Sequence, residues 1–95
     1  MAGTLHHGAR FRFDLVTVDE AAATYRVTIE LPDDQTRLGD MVIPLEGKTV
    51  PVPEFDAPVD DWMADRVRLL GLKVARGGRK DGSWPRKLRQ WANHT

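Results

Sequence analysis

The chain has 95 residues, no cysteine and a formal net charge of zero, which bounds it to one globular domain over 1–95. It excludes a disulfide framework, a thiolate nucleophile and any cysteine-ligated zinc. The neutral total hides a strong asymmetry: residues 1–65 hold 5 Lys/Arg against 13 Asp/Glu, and residues 66–95 hold 9 against 1.

The opening MAGTLHHGAR is polar and lacks an apolar h-region, so residues 1–8 are expected to be a flexible N-terminus. There is no apolar run of the roughly 18 residues a membrane helix needs. The expectation is a soluble, cytoplasmic protein with no membrane partner.

Residues 9–18, ARFRFDLVTV, alternate, with Phe11, Phe13 and Leu15 on one face and Arg10, Arg12 and Asp14 on the other. That period of two predicts a half-buried strand. Thr24–Leu31 repeats the pattern, with Tyr25, Val27, Ile29 and Leu31 inward. The short DEAAA between them predicts an antiparallel hairpin. Pairing Phe13 with Ile29, Leu15 with Val27 and Arg12 with Glu30 gathers the apolar groups on one face.

After a turn at Pro32–Gln35, Asp40–Leu45 and Lys48–Val52 flank Glu46-Gly47, predicting a second hairpin with Ile43 facing Val50 and Met41 facing Val52. Pro44 and Pro51 donate no ladder hydrogen bonds, which makes this outer hairpin weak.

The proline-rich PVPEFDAP leads into a helix capped by Asp56 or Asp60, with Val59, Met63, Val67, Leu70 and Val74 as its apolar stripe. Gly71 before Leu72 has the form of a glycine C-cap. On that reading the helix stops near Leu70 and residues 72–76 return as a short strand; an unbroken helix to Arg76 is the alternative. Gly77–Gly82 then reads as a basic loop. Ser83 caps a short C-terminal helix with Trp84, Leu88 and Trp91 at i, i+4 and i+7. The fold expected is therefore α+β: a small antiparallel meander of about four strands, five if residues 72–76 join it, packed against one amphipathic helix and a short C-terminal helix.

The chemistry is sparse. The histidines His6, His7 and His94 lack metal-ligand spacing, Asp56, Asp60 and Asp61 lack the calcium-loop pattern, and the single serine, Ser83, has no G-x-S-x-G around it. GGRKDGS fails the P-loop pattern because Lys80 precedes Gly82, leaving a weak anion site at the start of the second helix, beside Arg79 and Lys80. No cofactor, small-molecule ligand or enzymatic activity is expected, and the residues carry no motif of a known family.

What remains is the basic C-terminal segment. Its candidate partner- or anion-binding residues are Arg76, Arg79, Lys80, Arg86, Lys87 and Arg89. The favoured expectation is a non-enzymatic interaction domain, guided by segregated charge to a protein partner or to a second copy of itself. The alternative is a nucleic-acid-binding domain. A stacking platform needs rings and cations on one exposed surface, whereas helical spacing turns Trp84 and Trp91 toward the core, away from Arg86 and Arg89. On that view Trp91→Ala costs ~3 kcal/mol or more.

Overall fold

A computed structural model describes residues 8–32 and 34–93. Its elements run β1 (Gly8–Val18), β2 (Ala22–Glu30), β3 (Thr36–Pro44), α1 (Asp61–Asp81) and β4 (Lys87–Asn93). The strands form one antiparallel sheet in the order β3-β2-β1-β4, with the helix on one face. The chain is thus α+β, a four-stranded sheet packed with one helix.

Alternation builds the first hairpin as the sequence implies, but in a different register. Phe13 pairs with Val27, Phe11 with Ile29 and Leu15 with Tyr25. The expected pairing is therefore displaced by two residues, the first of them because the turn, with Val18 opposite Ala23, is one residue shorter than a five-residue loop. Asp19 N donates to Ala22 O, and the Asp19 carboxylate accepts from the N–H groups of Ala21 and Ala22 at 2.7 and 2.9 Å. Those two donors hold the Asp19 carboxyl below its usual range. A shift of two keeps every side chain on its face, so the core composition survives. A bulge between Leu15 and Thr17 absorbs the remaining mismatch.

The second predicted hairpin does not form. Strand β3 begins at Thr36, before the expected Asp40, and Lys48–Val52 is irregular. Pro51 and Pro53 cannot donate to a ladder. The connection instead runs back along β3, where Asp56 N donates to Leu38 O and Leu38 N to Asp56 Oδ1. Val50 still reaches the core.

The helix is longer than expected. It starts after Asp60, whose side chain makes no cap hydrogen bond, and runs through Gly71 and Gly77-Gly78 to a left-handed cap at Gly82. Residues 72–76 are helical and give no fifth strand. Gly71 is a point of close approach: a Cβ there would lie 2.7 Å from Met41 Sδ. The buried stripe Met63, Val67, Leu70, Val74, Ala75 and Gly78 continues across it and rests on Phe11, Phe13, Tyr25, Val27, Ile29, Met41 and Ile43 of the sheet. Trp62 adds an edge-on contact to Phe11, with ring centroids 6.1 Å apart.

The largest correction is at the C-terminus, where the expected helix is strand β4, paired with β1 from Gly8↔Asn93 to Asp14↔Lys87. Leu15 N donates to Arg86 O, which continues the pairing, and Tyr25 Oη donates to Pro85 O at 2.7 Å. Ser83 caps no helix; its N–H bonds Asp81 Oδ1, and bonding to the Ser83 hydroxyl and N–H lowers the Asp81 carboxyl. The anion site expected at a helix start there has no helix to supply it. Apart from Gly8, which opens β1, the flexible segment expected over residues 1–8 falls outside the described residues, as do His6, His7 and His94. Among the described residues no helix is long and apolar enough to cross a membrane.

Candidate functional site

A four-stranded sheet with one helix has one covered face and one open face, and alternation assigns every strand residue to one of them. In β4, Leu88, Gln90 and Ala92 share the covered side with Phe11 and Phe13, so Lys87, Arg89 and Trp91 share the open side with Arg10, Arg12 and Asp14. Register sets Trp91 opposite Arg10, Arg89 opposite Arg12 and Lys87 opposite Asp14. Such partners lie roughly 4.5–5.5 Å apart at Cα, and successive open-face residues of β4 are about 6.6–6.8 Å apart.

This half of the open face is dense in cations. Arg12 reaches Asp14 Oδ2 and Glu30 Oε1, each at 3.8 Å. Its Nε is a buried donor with no acceptor among the described residues. Arg10, Lys87 and Arg89 are exposed and make no ion pair with a described residue. Arg10, Arg12, Arg89 and Glu30 line an open depression of about 170 Å³. Beside Arg10 stands Trp91, which is 54% exposed. Trp91 is therefore not a core anchor. Of the expected trio only Trp84 and Leu88 pack against the core, Trp84 with its ring against Gly78.

The β2–β3 half is different. Arg26 and Asp40 are paired by a hydrogen-bonded ion pair at 2.6 Å, so their charges cancel locally. Beyond β3, the covering segment carries Glu54 and Asp56, both exposed. The basic residues divide between β4 and the end of α1, where Arg79 bonds Pro44 O at the end of β3.

The six residues expected to act together are not one patch. Lys87 and Arg89 lie on the open face, and Arg86 stands at the entry to β4, lining a cleft with Lys87 and the bulged end of β1. Arg76, Arg79 and Lys80 lie at the end of α1, in the helix layer, where they line a groove with Lys48 and Leu72. Arg79 has a structural task, donating Nε to Pro44 O at 3.0 Å and Nη2 to Thr49 O at 2.9 Å, which straps the segment after β3 to the helix. Arg79 and Lys80 also complement the negative end of the helix dipole.

Sequence reasoning missed Arg10, Arg12 and Trp91 as members of the site. The outward alternation of Arg10 and Arg12 was visible; their neighbours were not, because the pairing of β4 with β1 links positions about 80 residues apart in a chain whose C-terminus also fits a helical pattern. Among the described residues no three His, Cys, Asp or Glu side chains are grouped to hold a metal ion. Comparison of the chain with protein-family models, with curated proteins and with solved structures finds no match.

Proposed function

We propose that the chain is a nucleic-acid-binding domain that uses the β1/β4 half of its open sheet face. The observation that carries this reading is the exposure of Trp91 on the surface that also holds Arg10, Lys87 and Arg89. Cations on an edge strand have a simpler use, since they discourage pairing with other chains. An exposed tryptophan does the opposite, so edge protection accounts for Lys87 and Arg89 but not for Trp91. A ring among cations that make no ion pair with a described residue suits a ligand with anionic and π surfaces together.

The test is a titration of mixed-sequence DNA and RNA oligonucleotides against salt. Lys87→Ala with Arg89→Ala lowers affinity uniformly across sequences and flattens the log–log salt slope by about one unit for each phosphate no longer neutralised. Absence of binding to any probe at low salt refutes the reading.

A second reading, a protein partner, is favoured by a separate observation. The β3 edge is covered by the segment around Asp56, whereas no described segment pairs with the outer side of β4. An extended acidic chain can add to that edge by backbone pairing. Self-association through β4 alone sets Lys87 and Arg89 against their own copies and is disfavoured; contact between the basic edge of one copy and the acidic flank of another is complementary. Sedimentation at low and high salt separates these cases. A monomer at low salt that captures no acidic peptide removes the protein reading.

A further inference from the structure

We infer that the nucleic acid taken by this face is single-stranded, with one unpaired base stacked on Trp91 and the adjoining phosphates held by Arg10 and Arg89. The inference rests on the reading above and narrows it to a ligand class.

Three features of the face carry it. The Trp91 ring belongs to a sheet surface, and β4 is an edge strand followed on that face by no described helix or loop. A duplex presents its base edges only inside grooves, which proteins enter with a helix, a ribbon or an extended arm. A flat face meets only phosphate and sugar on a duplex, so the exposed ring finds a π partner only where bases are unstacked from their own strand. The second feature is the arrangement of cations. Arg10 is the cross-strand partner of Trp91, Arg89 is two residues away on the same strand, and Arg12 is the partner of Arg89. All three arginines line the depression beside the ring; among its described lining residues Glu30 is the one carboxylate, and it is ion-paired to Arg12, which leaves Arg10 and Arg89 for a phosphate. This places anion-binding groups to one side of the ring, as a base stacked there with its own phosphates requires.

The third feature limits the length of the ligand. Toward the far end of β4, Lys87 faces Asp14, and across the sheet Arg26 is already paired with Asp40. Favourable phosphate sites thus give out within two strand positions of Trp91. The described face has one exposed aromatic residue, so the footprint is short, about four nucleotides, at the low end for a sheet-based platform.

The experiment measures anisotropy of labelled oligonucleotides, four to twelve nucleotides long, single-stranded or annealed into blunt duplexes of the same sequence, at one low salt concentration. Proteins are the native chain, Trp91→Ala, Trp91→Phe and, as a control in the helix layer, Arg76→Ala with Lys80→Ala; thermal melts show which are folded. The expected result is at least tenfold tighter binding of single strands and little further gain beyond the shortest probes. Trp91→Ala should weaken single-strand binding roughly 5- to 150-fold, with Trp91→Phe keeping most of the affinity and the helix-layer control unchanged. Equal or tighter binding of duplex overturns the inference and leaves the broader reading standing. So does single-strand binding that Trp91→Ala leaves intact in a folded protein. Failure of both probe types to bind removes the broader reading as well.

Discussion

On the face of the sheet beneath α1, Phe11, Phe13, Tyr25, Val27, Ile29, Met41 and Ile43 are all fully buried. One residue along the same strands, the other face presents Arg10, Arg12, Asp14, Arg26, Glu30, Asp40, Lys87, Arg89 and Trp91. The covered face is read by size and apolarity, and its job is complete once the helix is down. Among the described residues nothing covers the open face, so its charges and its exposed ring are left to water, to one another or to a partner. Arg26, Arg12 and their carboxylates are explained by one another; Trp91 is not.

The sharpest break between the faces is expected within β1. Phe13→Ala should cost about 3–5 kcal/mol, since a fully buried ring leaves a cavity under the helix. That is a large share of the roughly 5–15 kcal/mol available to a domain of this size. Arg10→Ala, exposed on the other face, should change stability by less than about 0.5 kcal/mol. Urea unfolding of the two variants checks the contrast, and similar losses for both would mean that the open face is packed against something.

The covered face was legible in the sequence because its signal is local. Alternation in β1 and β2 identifies inward residues whatever the register, so a two-residue displacement of the hairpin left the core list intact. The helix was half legible. Gly71 followed by Leu72 has the form of a cap, and only the approach of Met41 and Val50 from elsewhere in the fold turns it into a contact glycine. The open face was the least legible. Leu88-Arg89-Gln90-Trp91-Ala92 alternates only weakly, because glutamine and alanine stand where large apolar groups would mark an inward side. Trp84, Leu88 and Trp91 meanwhile fit a helix by spacing alone. What decides for a strand is the free edge of β1, which a sequence read element by element does not contain.

Tyr25 joins the covered face to the approach to β4 and gives it a pH limit. Burial pushes its phenol from 10.0 up to about 12, and the hydroxyl bonds Pro85 O. The folded state therefore holds this proton more tightly than the unfolded chain does. The associated stability is complete below pH 10 and is lost as pH rises from about 10 to about 12. It is the only tyrosine in the chain, so its titration can be followed by tyrosinate absorbance alongside denaturant midpoints. Tyr25→Phe should remove this part of the alkaline loss; an unchanged profile would show that the phenol ionises as it does in water.

Two adjacent glycines test how closely the segment after α1 is packed. A Cβ at Gly78 would come within 2.2 Å of the Trp84 ring, whereas at Gly77 the nearest atom, Ser83 O, is 3.6 Å away. Gly78→Ala should thus destabilise by about 1–3 kcal/mol through overpacking. Gly77→Ala should stabilise by about 0.5–1 kcal/mol, because the helix gains a better former without a clash. Melting curves of the pair should move in opposite directions. A shift of both upward would mean that Trp84 does not rest on the helix.

The smallest expected effect on stability is the most informative. If β4 were a helix with Trp91 against the core, Trp91→Ala would cost ~3 kcal/mol or more. On an open sheet face the ring contributes at most a cross-strand pair with Arg10, roughly 0.2–1 kcal/mol. A near-silent melting curve joined to a large loss of single-strand affinity would separate what holds this fold together from what its open face is for. A near-silent melt with no loss of any binding would leave the ring as exposed surface on an edge strand, where its expected consequence is aggregation. Light scattering of the native chain and Trp91→Ala at rising concentration would then show the variant to be the more dispersed of the two.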